Sequence, residues 1–277
     1  MNNYIKLVNF EINRIAKLFA VLLGITFVVQ MIGVIVESRK YVSMANEKIF
    51  EGLMSKTQFL ESFGQMSFLQ IARSFWFMAP IALCAAGIVF YIFLIWYRDW
   101  IGKNTFVYRL LMLPTTRLNI FYAKITVILM MALGLVAFQL ILLPIEMSVM
   151  AAIVPDEFRI AMGVQELVTS MPELNIIIAS SIVEFFLYYG AGLLAVSILF
   201  TAIILERSFR WKGIVAGLMY SAIAIAVLIL PILLHEFVLN GFFYPIELLV
   251  LEIAMGLIVL AASVWFSGFL LTKKINV

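Results

Sequence analysis

Four acids stand inside otherwise apolar runs: Glu146, Glu184, Glu247 and Glu252. An unpaired charge in a bilayer costs about 2.5–3.5 kcal/mol on insertion scales, so such side chains face protein or water. Glu146, Glu247 and Glu252 fall toward the same ends of their runs, while Glu184 stands roughly eight residues in. One reading is an acidic ring along a substrate path or gate, suited to a cationic cargo, with Arg73 the nearest base. The competing reading is packing, with each acid hydrogen-bonded or protonated at the interface.

A second chemical feature is the polar stretch from Tyr97 to Lys124, which contains Tyr108-Arg-Leu-Leu-Met-Leu-Pro-Thr-Thr-Arg117. Thr105 caps a helical turn through Met112, Pro114 ends it, and a second helix starts near Thr115 or Thr116. Leu110, Leu111 and Leu113 are then expected to point at a partner surface or the membrane, beside Arg109 and Arg117. A loop that merely flanks two spans with positive charge is the alternative.

Other chemistries lack their residues. No GxxxxGK[ST] phosphate loop, HExxH or GxSxG is present, and a single His argues against a metal site. Both Asp residues, Asp99 and Asp156, lie in polar connections, so no intramembrane Asp pair exists for proteolysis. No enzyme, cofactor or nucleic-acid function is expected of this chain. Cys84 is the one cysteine, which forbids an internal disulfide.

The elements that carry these residues follow from composition. The 277 residues are 65% hydrophobic and 13% charged, with mean hydropathy +1.11. Soluble domains are nearer 45–50% apolar and 25% charged, so an all-α integral membrane protein of one domain is expected. Six runs reach the roughly 20 residues a spanning helix needs: 18–36, 75–97, 125–150, 176–205, 213–234 and 244–271. The first has no small-residue cleavage site after it and reads as a retained span rather than a signal peptide. The fourth and sixth exceed a bilayer, so each should tilt, kink or begin with an interfacial piece. Pro80, Pro144, Pro231 and Pro245 lie toward one end of their spans, where broken or re-entrant helix ends are expected.

Placing the N-terminus in the cytoplasm leaves thirteen of the nineteen Lys and Arg residues inside and six outside. The positive-inside bias therefore orients both termini inward, in a cell membrane. Residues 2–17 place Ile5, Val8, Ile12, Ile15 and Phe19 on one helical side and Lys6, Asn9, Asn13 and Lys17 on the other. That pattern predicts a separate amphipathic helix along the cytoplasmic interface. The outer loop 37–74 should hold one or two short amphipathic helices. In loop 151–175, Asp156 is expected to cap a short helix ending near Ser170. Gly213, Gly217 and Ser221 recur every fourth residue, a small-residue face that lets helices approach closely, inside one subunit or between two.

The Tyr108–Arg117 string, with Ile120, Phe121, Ala123 and Lys124 after it, resembles the LP-x-x-R…K segment of type-2 ATP-binding-cassette exporter permeases. The motif covers about 17 residues, and the layout of an N-terminal elbow helix and six spans extends the resemblance over the chain. The resemblance implies a coupling helix at Arg109, Leu110, Leu111, Leu113, Pro114, Arg117 and Lys124. It also implies a second permease copy or a homologous permease, and a separate cytoplasmic ATPase subunit that binds the ATP and Mg. The cargo would be amphipathic or hydrophobic: a peptide, lipid or drug. A non-transporting membrane sensor or immunity subunit, working by partner binding, is the alternative function.

Overall fold

A computed structural model describes residues 3–100, 106–112, 115–238 and 241–274. Within them the chain is helical: α1 (Asn3–Asn46), α2 (Lys56–Phe63), α3 (Phe68–Ala72), α4 (Phe75–Trp100), α5 (Phe106–Leu111), α6 (Leu118–Ile153), α7 (Val164–Ser170), α8 (Pro172–Ile177), α9 (Ile182–Phe209), α10 (Trp211–Leu233) and α11 (Pro245–Lys273). Extended pairing among the described residues is limited to one bridge between Met66 and Arg159. Six of the helices are long and apolar enough to cross a bilayer: α1, α4, α6, α9, α10 and α11. The protein is thus an all-α, multi-pass membrane protein.

One expectation about the first helix changes. The N-terminal stretch is not a separate element, because α1 runs unbroken from Asn3 to Asn46. At 1.5 Å per residue its 44 residues span about 66 Å, twice a hydrocarbon core. Leu7, Glu11, Ile15, Leu22, Thr26, Gln30, Val34, Ser38, Tyr41 and Ala45 are the buried residues, so one face is packed along the whole helix. Continuous packing of that face removes any reason for the chain to turn near residue 17.

The prolines do not break their spans either. Pro80, Pro144 and Pro231 lie within continuous helices, and Pro245 opens α11. Proline at the first turn removes an N–H that has no helical partner. Beyond Pro231 the helix widens into a π turn over Leu234–Val238, the expected response to a missing donor. The long fourth apolar run resolves into two helices, α8 and then α9. Asp156 does not cap a helix: its carboxylate is taken by Arg159, the short turn Asp156–Phe158 follows Pro155, and Gly163 precedes α7.

The contacts group into two units. One comprises 15–88 and 130–186. Its core joins Val34 and Tyr41 of α1, Phe59 of α2, Phe68 and Ile71 of α3, Phe77 of α4, Leu143 and Met150 of α6, and Leu167 of α7. Ser55 and Gln58 close a capping box at the start of α2, and the Tyr41 hydroxyl donates to Gly64 O at 2.7 Å. Gly64 takes φ +72°, a left-handed turn that favours glycine, so α2 can fold back on α1. The other unit comprises 1–14, 89–129 and 187–277, and holds the stretch that joins α4 to α6.

Candidate functional site

The second unit contains a five-membered ion cluster drawn from three helices. Glu11 and Arg14 come from the start of α1, Arg98 and Asp99 from the last turn of α4, and Lys124 from the second turn of α6. Lys124 is 1% exposed. Its Nζ donates to Glu11 Oε1 at 2.9 Å, to Asp99 Oδ2 at 2.6 Å and to the Ile95 carbonyl at 2.8 Å. These three bonds use all three ammonium donors. Arg14 donates to Asp99 Oδ1 at 2.7 Å, and Arg98 donates to Glu11 Oε2 at 3.1 Å. Trp96 lies 5.0 Å from the ammonium across its ring face. Glu11 and Asp99 are themselves buried, so the acids and Lys124 form a desolvated centre with the two arginines at its edge.

Below this centre Trp96 packs edge-on against Phe200 of α9, and so does Phe121 of α6. The Tyr97 hydroxyl donates to Glu206, and the Arg207 guanidinium lies 4.5 Å over the Tyr97 ring. Arg117 donates to the Leu271 carbonyl near the end of α11, where a cation meets the negative end of the helix. Leu118 packs on Gly268 of the same helix. The two ends of the connecting stretch are thereby tied to α1, α9 and α11 by ion pairs, hydrogen bonds and rings.

The predicted coupling residues divide on this frame. Arg109 is exposed, and so is Met112. Leu110 and Leu111, expected to face a partner or the membrane, are instead buried at 4% and 7% within the chain. α5 has only six residues, and turning its two leucines inward is what holds so short a helix in place. Lys124 is buried in the ion cluster, and half-buried Arg117 is bonded to the Leu271 carbonyl. Leu113 and Pro114 lie outside the described residues.

The four membrane acids do not share one environment. Glu184 sits in the first turn of α9, not eight residues deep, and its carboxylate accepts from Ser180 N at 2.9 Å while its own N–H is bonded to Ser181 Oγ. Glu247 likewise accepts from Tyr244 N at 3.0 Å in the first turn of α11. Both are helix caps. Glu252 is half-buried further along α11. Only Glu146 is fully enclosed.

The small-residue face is an internal contact. A Cβ placed on Gly213 would lie 2.3 Å from Leu205 O and 2.7 Å from Glu206 Cα, and one on Gly217 would lie 2.9 Å from Ala202 O. α10 therefore packs backbone to backbone on α9. Ser221 turns its hydroxyl back to the Gly217 carbonyl.

The sequence pattern did not single out Glu11, and it marked Asp99 only as an acid in a polar connection. The available signal was their class: a carboxylate on the apolar stripe of a helix, and one at the end of a span beside a Trp, both demand a partner. Among the described residues no three His, Cys, Asp or Glu side chains converge as a metal site. Comparison with protein-family models, curated proteins and solved structures finds no match.

Proposed function

We propose that this chain is the transmembrane subunit of an ATP-binding-cassette exporter of the type-2 class. It works in the cell membrane, with both termini cytoplasmic, beside a second permease copy or a homologous permease. A separate cytoplasmic subunit hydrolyses ATP, and the cargo moved outward is amphipathic or hydrophobic.

The observation that carries this reading is the braced base of the stretch between α4 and α6. A loop that only obeys the positive-inside rule has no need of buried ion pairs at its root. Here Asp99 at one root and Lys124 at the other share a bond at 2.6 Å, and Glu11 ties both neighbourhoods to α1. Between these roots Arg109 and Met112 are exposed and so open to a partner. Closure of the ATPase pair would press on this short helix. The ion cluster would pass the load to α1, α4 and α6 together rather than to one helix alone.

The test is co-expression with the ATP-binding-cassette ATPase encoded by a neighbouring reading frame, followed by purification in detergent and reconstitution. The expected result is co-purification and an ATPase rate that falls on Arg109→Glu with Met112→Glu, while the permease stays folded. Leu110, Leu111 and Arg117 are unsuitable for this purpose, since their substitution would damage the chain's own packing. A chain that purifies alone, with an ATPase rate indifferent to the Arg109 and Met112 changes, overturns the proposal in favour of a non-transporting sensor or immunity subunit.

A further inference from the structure

In the unit formed by residues 15–88 and 130–186, the buried polar side chains are Thr26, Gln30, Ser38, Gln139 and Glu146. Glu146 is 0% exposed, and it is the one carboxyl among them. Neither of its oxygens has a hydrogen-bond partner among the described residues. Leu142, Leu143 and Met150 are its buried neighbours along α6. Every basic side chain of this unit lies outside that buried set. Arg73 is exposed, and Arg159 is engaged with Asp156 and the Ala151 carbonyl. On α1 the charged residues Glu37, Arg39 and Lys40 flank Ser38, and on the part of α4 within this unit (75–88) the titratable residue is Cys84, which pairs with Thr26 at 3.3 Å. Tyr41 belongs to the same core and spends its hydroxyl on Gly64 O.

Other buried polar atoms of this unit also lack partners among the described residues. Gln30 gives its amide N–H to the Phe77 carbonyl and keeps a buried oxygen without a partner. Ser38 Oγ, Ser74 Oγ and Gln139 Nε2 are the unit's other unpartnered buried polar atoms, and none of them is charged. At 0% exposure, and with no base in the unit's buried set, the charged form of this carboxyl is the costly one.

We propose that Glu146 is a proton-binding site, occupied in this conformation. A proton needs no volume or ligand shell of its own, unlike a metal ion or an organic ammonium, and it converts both orphan acceptors into a neutral acid. Release of the proton then requires α6 to move until water or a cation meets the carboxylate. Proton binding and the conformation of this unit are therefore coupled. The inference rests on burial and bonding alone and stands whether or not an ATPase drives the chain.

Infrared spectroscopy of the reconstituted chain tests it. The protonated acid has a carbonyl stretch above the amide I band that shifts in D2O. An ordinary Glu at pH 7 is neutral in about 1 molecule in 500, so it contributes nothing there. The expected result is an acid-carbonyl band at pH 7 in wild type and in Glu247→Gln, and its loss in Glu146→Gln. Absence of the band, or its survival in Glu146→Gln, overturns the proposal. Should the variant fail to fold, the pH titration of wild type decides. A band that persists through neutral pH supports the site, and one that bleaches within the ordinary carboxyl range refutes it.

Discussion

Replacing Lys124 with Met keeps the length of the side chain and removes its charge and three donors. Wild type places that ammonium within 2.9 Å of Glu11, Asp99 and the Ile95 carbonyl at 1% exposure. Removing one partner of a buried ion pair costs about 3–5 kcal/mol, because the other charge stays buried. Two features moderate the loss here. Arg14 remains on Asp99 at 2.7 Å, and Arg98 remains on Glu11 at 3.1 Å, so neither acid becomes wholly unpaired. The Ile95 carbonyl, by contrast, loses its side-chain donor at a buried position. We expect about 3 kcal/mol, the low end of that range, read as a lowered unfolding midpoint in detergent or nanodiscs. Lys124→Met with Asp99→Asn should cost less than the two single changes added, since each removes the reason for the other; couplings of about 0.5–3 kcal/mol are usual for such neighbours. Arg98→Met, at the exposed edge, should cost about 1 kcal/mol or less. If Lys124→Met lies within 1 kcal/mol of wild type on the same scale, or if the double change is additive, the cluster does not brace the three helices and the mechanical argument fails.

Glycine substitutions separate contact from open space. Gly213→Ala places a methyl 2.3 Å from Leu205 O and should cost about 1–3 kcal/mol by overpacking, whereas Gly24→Ala meets nothing within 4 Å and should be neutral or stabilising on the same thermal assay. Tyr220→Phe deletes the 2.6 Å bond to Ser263 Oγ, one link in the ladder through Thr201 and Ser267, and should cost about 0.6 kcal/mol and at most about 1.7 in a chemical-unfolding measurement. Glu184→Ala should lower stability by roughly 0.5–1 kcal/mol through loss of its bond to Ser180 N, with Glu184→Gln less harmful because an amide oxygen can still accept. Equal effects of the Ala and Gln changes at Glu184 would remove it from a capping role.

Span number and span position were legible because an apolar run of about 20 residues has few alternatives in a chain so poor in charge. Helix ends were less legible. The run 176–205 is apolar throughout, yet Ser180 and Ser181 interrupt it with hydroxyls that favour a cap over a continuing helix. That interruption moved Glu184 from an apparent interior site to a first turn. Ser55-Lys-Thr-Gln58 is the capping-box pattern in plain sight and marks the start of α2. The direction of a face was harder. Ile5, Val8 and Ile12 look like the buried stripe by residue type, but in a membrane protein lipid accepts apolar side chains as readily as protein does. The chain's interior is then marked by what lipid refuses, and on α1 that is Glu11, Thr26, Gln30 and Ser38.

The same reasoning changes what the charge distribution means. Counted along the sequence, the cytoplasmic side assigned by the positive-inside rule carries three acids among thirteen bases, and the acids look incidental. In the fold none of the three is idle: Glu11 and Asp99 hold Lys124, Arg14 and Arg98, and Glu206 holds Tyr97 beside Arg207. Each acid joins helices distant in sequence, at separations of 25 to 113 residues, which no local spacing can reveal. Four basic residues that would otherwise count toward membrane orientation are thereby committed to internal pairs or ring contacts near them. Arg109 is exposed between the two roots, so on the proposed exporter reading its substitution, rather than that of the buried leucines beside it, is the decisive test of coupling.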